Sequence, residues 1–444
     1  MSGAAEHSQD KPAAFSAAGH VRGHYANTAP DLPSFPSLRE NLVADVCIVG
    51  AGLAGLTSAL ELARAGKDVV LLEAERVGFG ASGRNGGFVS ASFAESIFTI
   101  EDKLGLDHAK QLYRLSTEGV GYVRSTIRDS KRADIIEGHG WLKMIRHGDV
   151  AALEIRAERL ARDYGAMQTF LSRAQLAAHV SSERYHGGLL DMGPFHIHPL
   201  RYCGLVGELA VDAGARIHEG TRVVKVSRDG PLWEVRASKG RVRCGNVIIA
   251  TSAYGGPVRS INQSILPVST YVVTARSDKL DEAIRFTGCL GDTRRAGDYY
   301  RLVGNGGERR LLWGGRITTR QSVPADLGEK LRHDIMSVYP QLDDLAIETA
   351  WAGLMGYAVH KMPLIGRLRD GLWMATAFGG HGLNTTAMGG KLVASAIAGG
   401  DDRWRLFEPF GLQWGGGLAG RVATQLEYWR LQMLDRIEER RAER

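Results

Sequence analysis

An α/β fold, α+β overall, is what this sequence predicts, and three observations carry the prediction. An almost wholly apolar run, Ala44–Gly50 (A-D-V-C-I-V-G), leads through a glycine-rich turn into a segment of helical period, and a second apolar run then ends in an acid. A similar apolar run with a glycine cluster behind it recurs far downstream, at Gly371–Gly382. Between these ends lie amphipathic helical patterns and short alternating strands, which imply an antiparallel sheet. At 444 residues the chain exceeds what one hydrophobic core usually supports, so two domains are expected.

In chain order, residues 1–40 are polar, lack the apolar stretch of a secretory signal, and read as an N-terminal arm. Ala44–Gly50 is a strand buried on both faces. Leu56, Leu60 and Leu62–Ala63 keep helical spacing, and Gly66 is placed to stop that helix. Lys67–Leu72 is the second strand, ending at Glu73. Gly80–Gly87 (G-A-S-G-R-N-G-G) holds four glycines in eight positions and cannot fill a core. Asp107–Ser130 and Val150–Arg162 read as amphipathic helices. Short strands follow within Thr221–Thr251 (T-R-V-V-K-V, W-E-V-R-A, R-V-R-C, N-V-I-I-A-T), then at Tyr271–Ala275, Tyr299–Val303 and Arg310–Gly315. Gly371–Ala377 is an apolar strand, Phe378–Gly382 a turn and Leu383–Ala398 a helix. In Gly417–Arg440, Val422, Leu426, Trp429, Met433 and Ile437 form an apolar stripe expected to pack on the protein's own body.

This order divides the chain into an arm (1–40), a nucleotide-binding domain of discontinuous segments (41–95, 186–266 and 346–416), an inserted antiparallel-sheet substrate domain (96–185 and 267–345) and a C-terminal amphipathic helix (417–444). The glycine content, 56 residues, is well above the usual share of about 7% and points to tight turns and backbone–ligand contacts. Net charge is +6 but scattered, and acids interrupt the basic tail Arg436–Arg444, so no nucleic-acid partner is expected. Cys47, Cys203, Cys244 and Cys289 are far apart with no C-x-x-C, which fits reduced thiols in a cytoplasmic protein. No run is apolar enough to span a bilayer, and no membrane contact is expected.

The chemistry centres on Gly50-Ala51-Gly52-Leu53-Ala54-Gly55. A strand before it, a helix after it, and Glu73 eighteen residues past Gly55 make a complete Rossmann-like βαβ unit. Gly50 makes the turn, Gly52 admits a pyrophosphate, Gly55 permits close helix–strand packing, and the N–H groups of Leu53 and Ala54 favour an anion. Glu73, followed by Ala74, would accept from ribose hydroxyls. A second glycine loop directly after the acid exceeds what NAD needs and suits the longer FAD. There Ser82, Arg84 and Asn85 are donors, and Gly83, Gly86 and Gly87 allow close approach.

These residues resemble the D-amino-acid-oxidase-type FAD oxidoreductases, a family that includes glycine and sarcosine oxidases. The resemblance rests on V-C-I-V-G-A-G-L-A-G-L (46–56), V-V-L-L-E-A (69–74), G-A-S-G-R-N-G-G and F-G-G-H-G (378–382). R-V-G-F-G-A-S-G-R-N-G-G (76–87), H-I-H-P-L (196–200) and W-A-G…K-M-P-L-I-G-R-L (351–368) are most similar to members that oxidise γ-glutamylputrescine. The resemblance implies oxidation of a C–N bond of an amine or amino acid, such as a γ-glutamyl amine, to an imine that water hydrolyses. Oxygen would reoxidise the flavin. Two alternatives stay open: a dehydrogenase for a secondary amino acid using a quinone or carrier, and an FAD subunit of a multi-chain oxidoreductase.

By the same resemblance, further cofactor contacts are implied at Val224, Ala250, Thr251, Trp351, Gly353, Gly380, His381, Gly382, Leu383 and Asn384. His381 is the implied catalytic neighbour of the flavin, and Arg259 a candidate oxygen-activating charge. FAD is expected to be non-covalent, because no Cys lies near the G-G-H-G. No metal is expected, and His196 and His198 read as structural or pocket-lining. His360 stands where many relatives carry Asp. Substrate contacts are sought among Tyr271, Tyr299, Tyr300, Trp313 and Arg316.

Overall fold

The computed structural model describes residues 19–442 except Pro30, Asp149, Ala296 and Asn305. Residues 1–18 of the expected arm and the last two of the expected C-terminal helix lie outside the described residues. Two sheets organise the chain. In the eight-stranded one, Asn41–Val49 is central and runs parallel to both Arg241–Ile249 and Val69–Leu72. Leu372–Thr376 and Arg216–His218 extend the parallel set on either side. Parallel neighbours need crossovers, and the helix Leu53–Arg64 supplies the first. Gly66, at φ +76°, stops it. Leu56 and Leu60 of this helix share a core with Leu392 and Val393 of the helix Gly382–Ala398.

The segments R-V-R-C and N-V-I-I, separate in the sequence reading, form one strand, Arg241–Ile249. Its first half pairs antiparallel with Leu232–Ala237, and its second runs parallel to Leu372–Thr376. The nine-stranded sheet is antiparallel except where Cys289–Asp292 runs parallel to Ile136–Met144. Its outer face packs on the helix Leu327–Val338, where Tyr300 stacks on Trp313 at 4.2 Å. All four cysteines are free and buried.

Three strands within the segments expected for the nucleotide domain lie instead in the nine-stranded sheet: Phe88–Val89, Gly187–Ile197 and Ala346–Tyr357. Alternation marks a strand but not its partners, and these pairings are non-local. The C-terminal helix, Gly417–Ala442, also departs from expectation. It docks by its polar face, and Val422, Leu426, Trp429 and Met433 are exposed. Directional bonds from Thr318, Thr319 and Arg295 to Gln425, Asp435 and Glu438 set its rotation. The part of the arm that is described is anchored: Tyr25 is 3% exposed and packs on Trp351.

Candidate active site

A cavity of about 540 Å³ opens at the carboxyl ends of Asn41–Val49, Val69–Leu72, Arg241–Ile249 and Leu372–Thr376, where open α/β sheets bind ligands. Gly50 turns the chain there at φ +106°, and a Cβ on it would sit 2.7 Å from the Ala250 carbonyl oxygen. A Cβ on Gly55 would run into the Gly50 carbonyl. The helix that follows points its N-terminus into the cavity, and the Leu53 N–H donates to Ser82 Oγ at 3.0 Å. The second glycine loop therefore caps the first.

Glu73 closes one side. Its Oε2 accepts from Ala51 N–H at 2.7 Å and its Oε1 from Glu75 N–H at 2.9 Å. Burial raises its pKa, and these two bonds only partly oppose the rise. Hydroxyl donors arriving in the cavity would complete its coordination.

The loop Gly80–Gly87 is stapled from within and from behind. Asn85 Nδ2 donates to Ala81 O (3.0 Å) and Ser82 O (2.8 Å), while its Oδ1 accepts from Gly87 N–H. Tyr25 donates its hydroxyl to Asn85 O at 2.7 Å. Arg301, fully buried, donates from Nε to Gly86 O (2.6 Å), from its terminal nitrogens to Ile197 O and Tyr25 Oη, and pairs with Glu137 and His196. Burial opposes that charge, yet Tyr25 and Glu137 hold the guanidinium above its ordinary pKa. Tyr299 lies against Gly86 and contacts Thr270 through its hydroxyl at 3.4 Å.

Opposite, Gly380, Gly382 and Leu383 line the cavity at the start of the helix Gly382–Ala398, with Tyr357 beneath Gly379 and Gly380. His381 sits at that helix N-terminus, and its carbonyl accepts from the Thr385 hydroxyl. Burial, aided by the charge of Lys143, pulls its imidazole down to about 4, so it is neutral at pH 7. Lys143 projects from Ile136–Met144 on the side opposite the buried Leu142 and Met144. Lys143 is exposed as a whole, but desolvation of its ammonium by the surrounding chain and the nearby Arg156 lower its pKa, and Asp292 opposes them.

These residues fit FAD. The glycines leave space that a Cβ would fill, the helix N-terminus faces the cavity, and a carboxylate with open lone pairs stands where a ribose belongs. Of the sequence-expected residues, Gly50, Gly52, Leu53, Ala54, Glu73, Ala74, Ser82, Asn85, Ala250, Thr251, Gly380, Gly382 and Leu383 line the cavity. Gly55, Gly83, Gly86 and Gly87 lie just behind it, as close-packed backbone.

Others fall elsewhere. Val223 lines the cavity, while Val224, whose implied contact is through its backbone, sits at a register shift between Val223 and Lys225 with its side chain 59% exposed. Arg84 stacks over Phe79 at 4.3 Å and, with Trp351, borders a small separate cavity, while its carbonyl accepts from Trp351 Nε1 at 3.0 Å. Met355 and Gly356 line the main cavity in place of Gly353. Asn384 is buried and donates to Ser116 O at 3.2 Å, because the helical turn points it away from the cavity. Arg259 is exposed at the first turn of a short helix that sends only Ile261 into the core.

The remaining candidates have structural partners. His196 meets Arg301 and Thr287, and His198 meets Arg201 and Thr28. His360 accepts from Met362 N–H at 3.1 Å. Tyr271, Tyr300 and Trp313 belong to the second core, and Arg316 pairs with Asp334. Tyr25, Glu137, Lys143 and Arg301 escaped the sequence reading. Only the Tyr299-Tyr300-Arg301 run, an arginine inside an apolar strand, signalled any of them.

The family model described as FAD dependent oxidoreductase matches residues 45–396. A probable oxidoreductase, OrdL, of Haemophilus influenzae is 33% identical over 430 residues, covering 94% of this chain and 98% of that protein. The gamma-glutamylputrescine oxidoreductase of Escherichia coli K12 is 34% identical over 398 residues, covering 87% and 91%. Among solved structures, glycine oxidase from Geobacillus kaustophilus superposes with a TM-score of 0.69 at 21% identity, covering 84% of this chain and 99% of that one.

Proposed function

The chain belongs to the FAD dependent oxidoreductase family, and from there we propose that it oxidises a γ-glutamyl amine of the γ-glutamylputrescine type. It is an FAD-dependent enzyme of the amine and amino-acid oxidoreductases; the substrate is the new step. The observation that carries the proposal is the 34% identity with gamma-glutamylputrescine oxidoreductase over 87% of the chain.

In this reading FAD, held without a covalent bond by the two glycine loops and Glu73, supplies a two-electron acceptor. The substrate amine enters as the free base. Its carbon–hydrogen bond next to nitrogen gives up two electrons and a proton, and a second proton leaves nitrogen. Water adds to the resulting imine and releases an aldehyde and ammonia. His381, uncharged at neutral pH, adds no positive charge beside the reacting carbon and leaves the helix N-terminus to favour negative charge there. Lys143, near enough to His381 for its charge to be felt there, is the proposed cation for the glutamyl carboxylate. Oxygen is the proposed final acceptor.

The test is anaerobic reduction of the purified holoenzyme. γ-Glutamylputrescine should bleach the flavin band near roughly 450 nm within a turnover, and air should restore it with formation of peroxide. A band that stays oxidised with γ-glutamylputrescine but bleaches with sarcosine or pipecolate overturns the substrate. Bleaching that air does not reverse overturns oxygen as acceptor.

A further inference from the structure

The helix Gly417–Ala442 turns one face to the protein and leaves the opposite face bare. Inward, Gln425 accepts from Thr319 N–H at 2.9 Å, Asp435 and Glu438 bind Arg295 at 2.8 and 2.9 Å, and Glu439 binds Arg146 at 3.1 Å. Outward, Leu418, Val422, Leu426, Trp429 and Met433 are 78, 60, 55, 50 and 64% exposed. At about 100° per residue these five fall within roughly 80° of arc, a single continuous stripe. Exposed Arg436 and Arg440 prolong the same line by two turns. A contiguous apolar stripe of this length on a water-facing surface marks an interaction site.

The charges of the helix are sorted as well. Three of its acids, Asp435, Glu438 and Glu439, are turned to arginines of the body, and the fourth, Glu427, pairs with Arg430 along the helix. No ion pair among the described residues reaches Arg436 or Arg440. The outer face is therefore apolar and cationic together. We infer that it docks the enzyme on an anionic lipid surface, with the stripe at the headgroup–acyl boundary and the arginines at lipid phosphates. A second copy fits this face less well. Parallel pairing would set Arg436 against Arg436, and antiparallel pairing about Leu426 and Trp429 would bring Arg436 beside Leu418, a charge in an apolar seam. No described helix is long and apolar enough to cross a membrane, so the contact is interfacial.

The experiment is flotation of the holoenzyme with phosphatidylcholine vesicles, with and without phosphatidylglycerol. Binding is expected to the anionic vesicles, weakened at about 0.5 M salt. Arg436→Glu/Arg440→Glu should cut it at least tenfold, by about 1 kcal/mol or more per arginine. Leu426→Glu/Trp429→Glu should cut it by at least about tenfold. Both variants should keep native flavin absorbance, which separates loss of docking from loss of fold. Absence of binding to anionic vesicles, or equal binding to both vesicle types, overturns the proposal. So does a dimer in light scattering that the Leu426→Glu/Trp429→Glu variant dissolves.

Discussion

Replacing Arg301 by methionine tests whether the buried guanidinium holds the second glycine loop in place. The substitution keeps the volume and apolar stem but removes every donor. Glu137 then loses its partner. Breaking a buried pair by removing one member costs about 3–5 kcal/mol, and the 19% exposure of Glu137 puts this one near 3. The Gly86 and Ile197 carbonyls each lose a donor, at about 1 kcal/mol apiece. Arg301→Met should therefore destabilise the FAD-saturated protein by about 5 kcal/mol, measured as the shift in urea midpoint multiplied by the native slope. Glu137→Gln/Arg301→Met removes the stranded charge, so it should recover about 3 kcal/mol and leave only neutral acceptors, the Gly86 and Ile197 carbonyls with His196 Nδ1 and Tyr25 Oη, without the guanidinium. A single mutant within about 1 kcal/mol of native would refute the reasoning. A double mutant no more stable than the single would refute it equally, since the stranded carboxylate would then not be the main term.

Gly50→Ala places a Cβ 2.7 Å from the Ala250 carbonyl at φ +106°, so the protein should purify without flavin; native flavin absorbance would reject this. Lys143→Met should raise KM for γ-glutamylputrescine by about ten- to a hundredfold with kcat kept, and leave an amine lacking the glutamyl carboxylate unaffected. The folded pKa of His381, about 4, lies below its unfolded value of about 6.5, so the folded state binds fewer protons in that interval. Its contribution is intact above pH 6.5 and falls by about 3 kcal/mol as pH drops to 4. In urea titrations at pH 7 and pH 4, His381→Asn should lose about that much less stability than the native protein on acidification.

The dinucleotide turn is a local object. Gly50, Gly52, Gly55 and Glu73 act through backbone shape and one carboxylate within a single βαβ unit, and adjacent residues suffice to specify such a unit. For the same reason the stop at Gly66 and the helix behind Gly380–Leu383 were legible in the sequence. What period and spacing do not carry is rotation and partnership. Asn384 follows the cavity-lining Leu383 by one residue, and only packing against Ser116 decides which way its side chain points. Arg84 looked like a phosphate donor, but Phe79 and Trp351 draw it behind the loop. Tyr25, Glu137 and Arg301 lie far apart in the chain and meet because the nine-stranded sheet brings the strands of Glu137 and Arg301 together and the short helix His24–Thr28 sets Tyr25 against them. The C-terminal helix makes the same point. Its amphipathic pattern determined that one face is apolar, whereas the arginines and threonines it meets across the fold decided that this face would look outward, because paired charges and directional hydrogen bonds outweigh a short apolar stripe in setting its rotation.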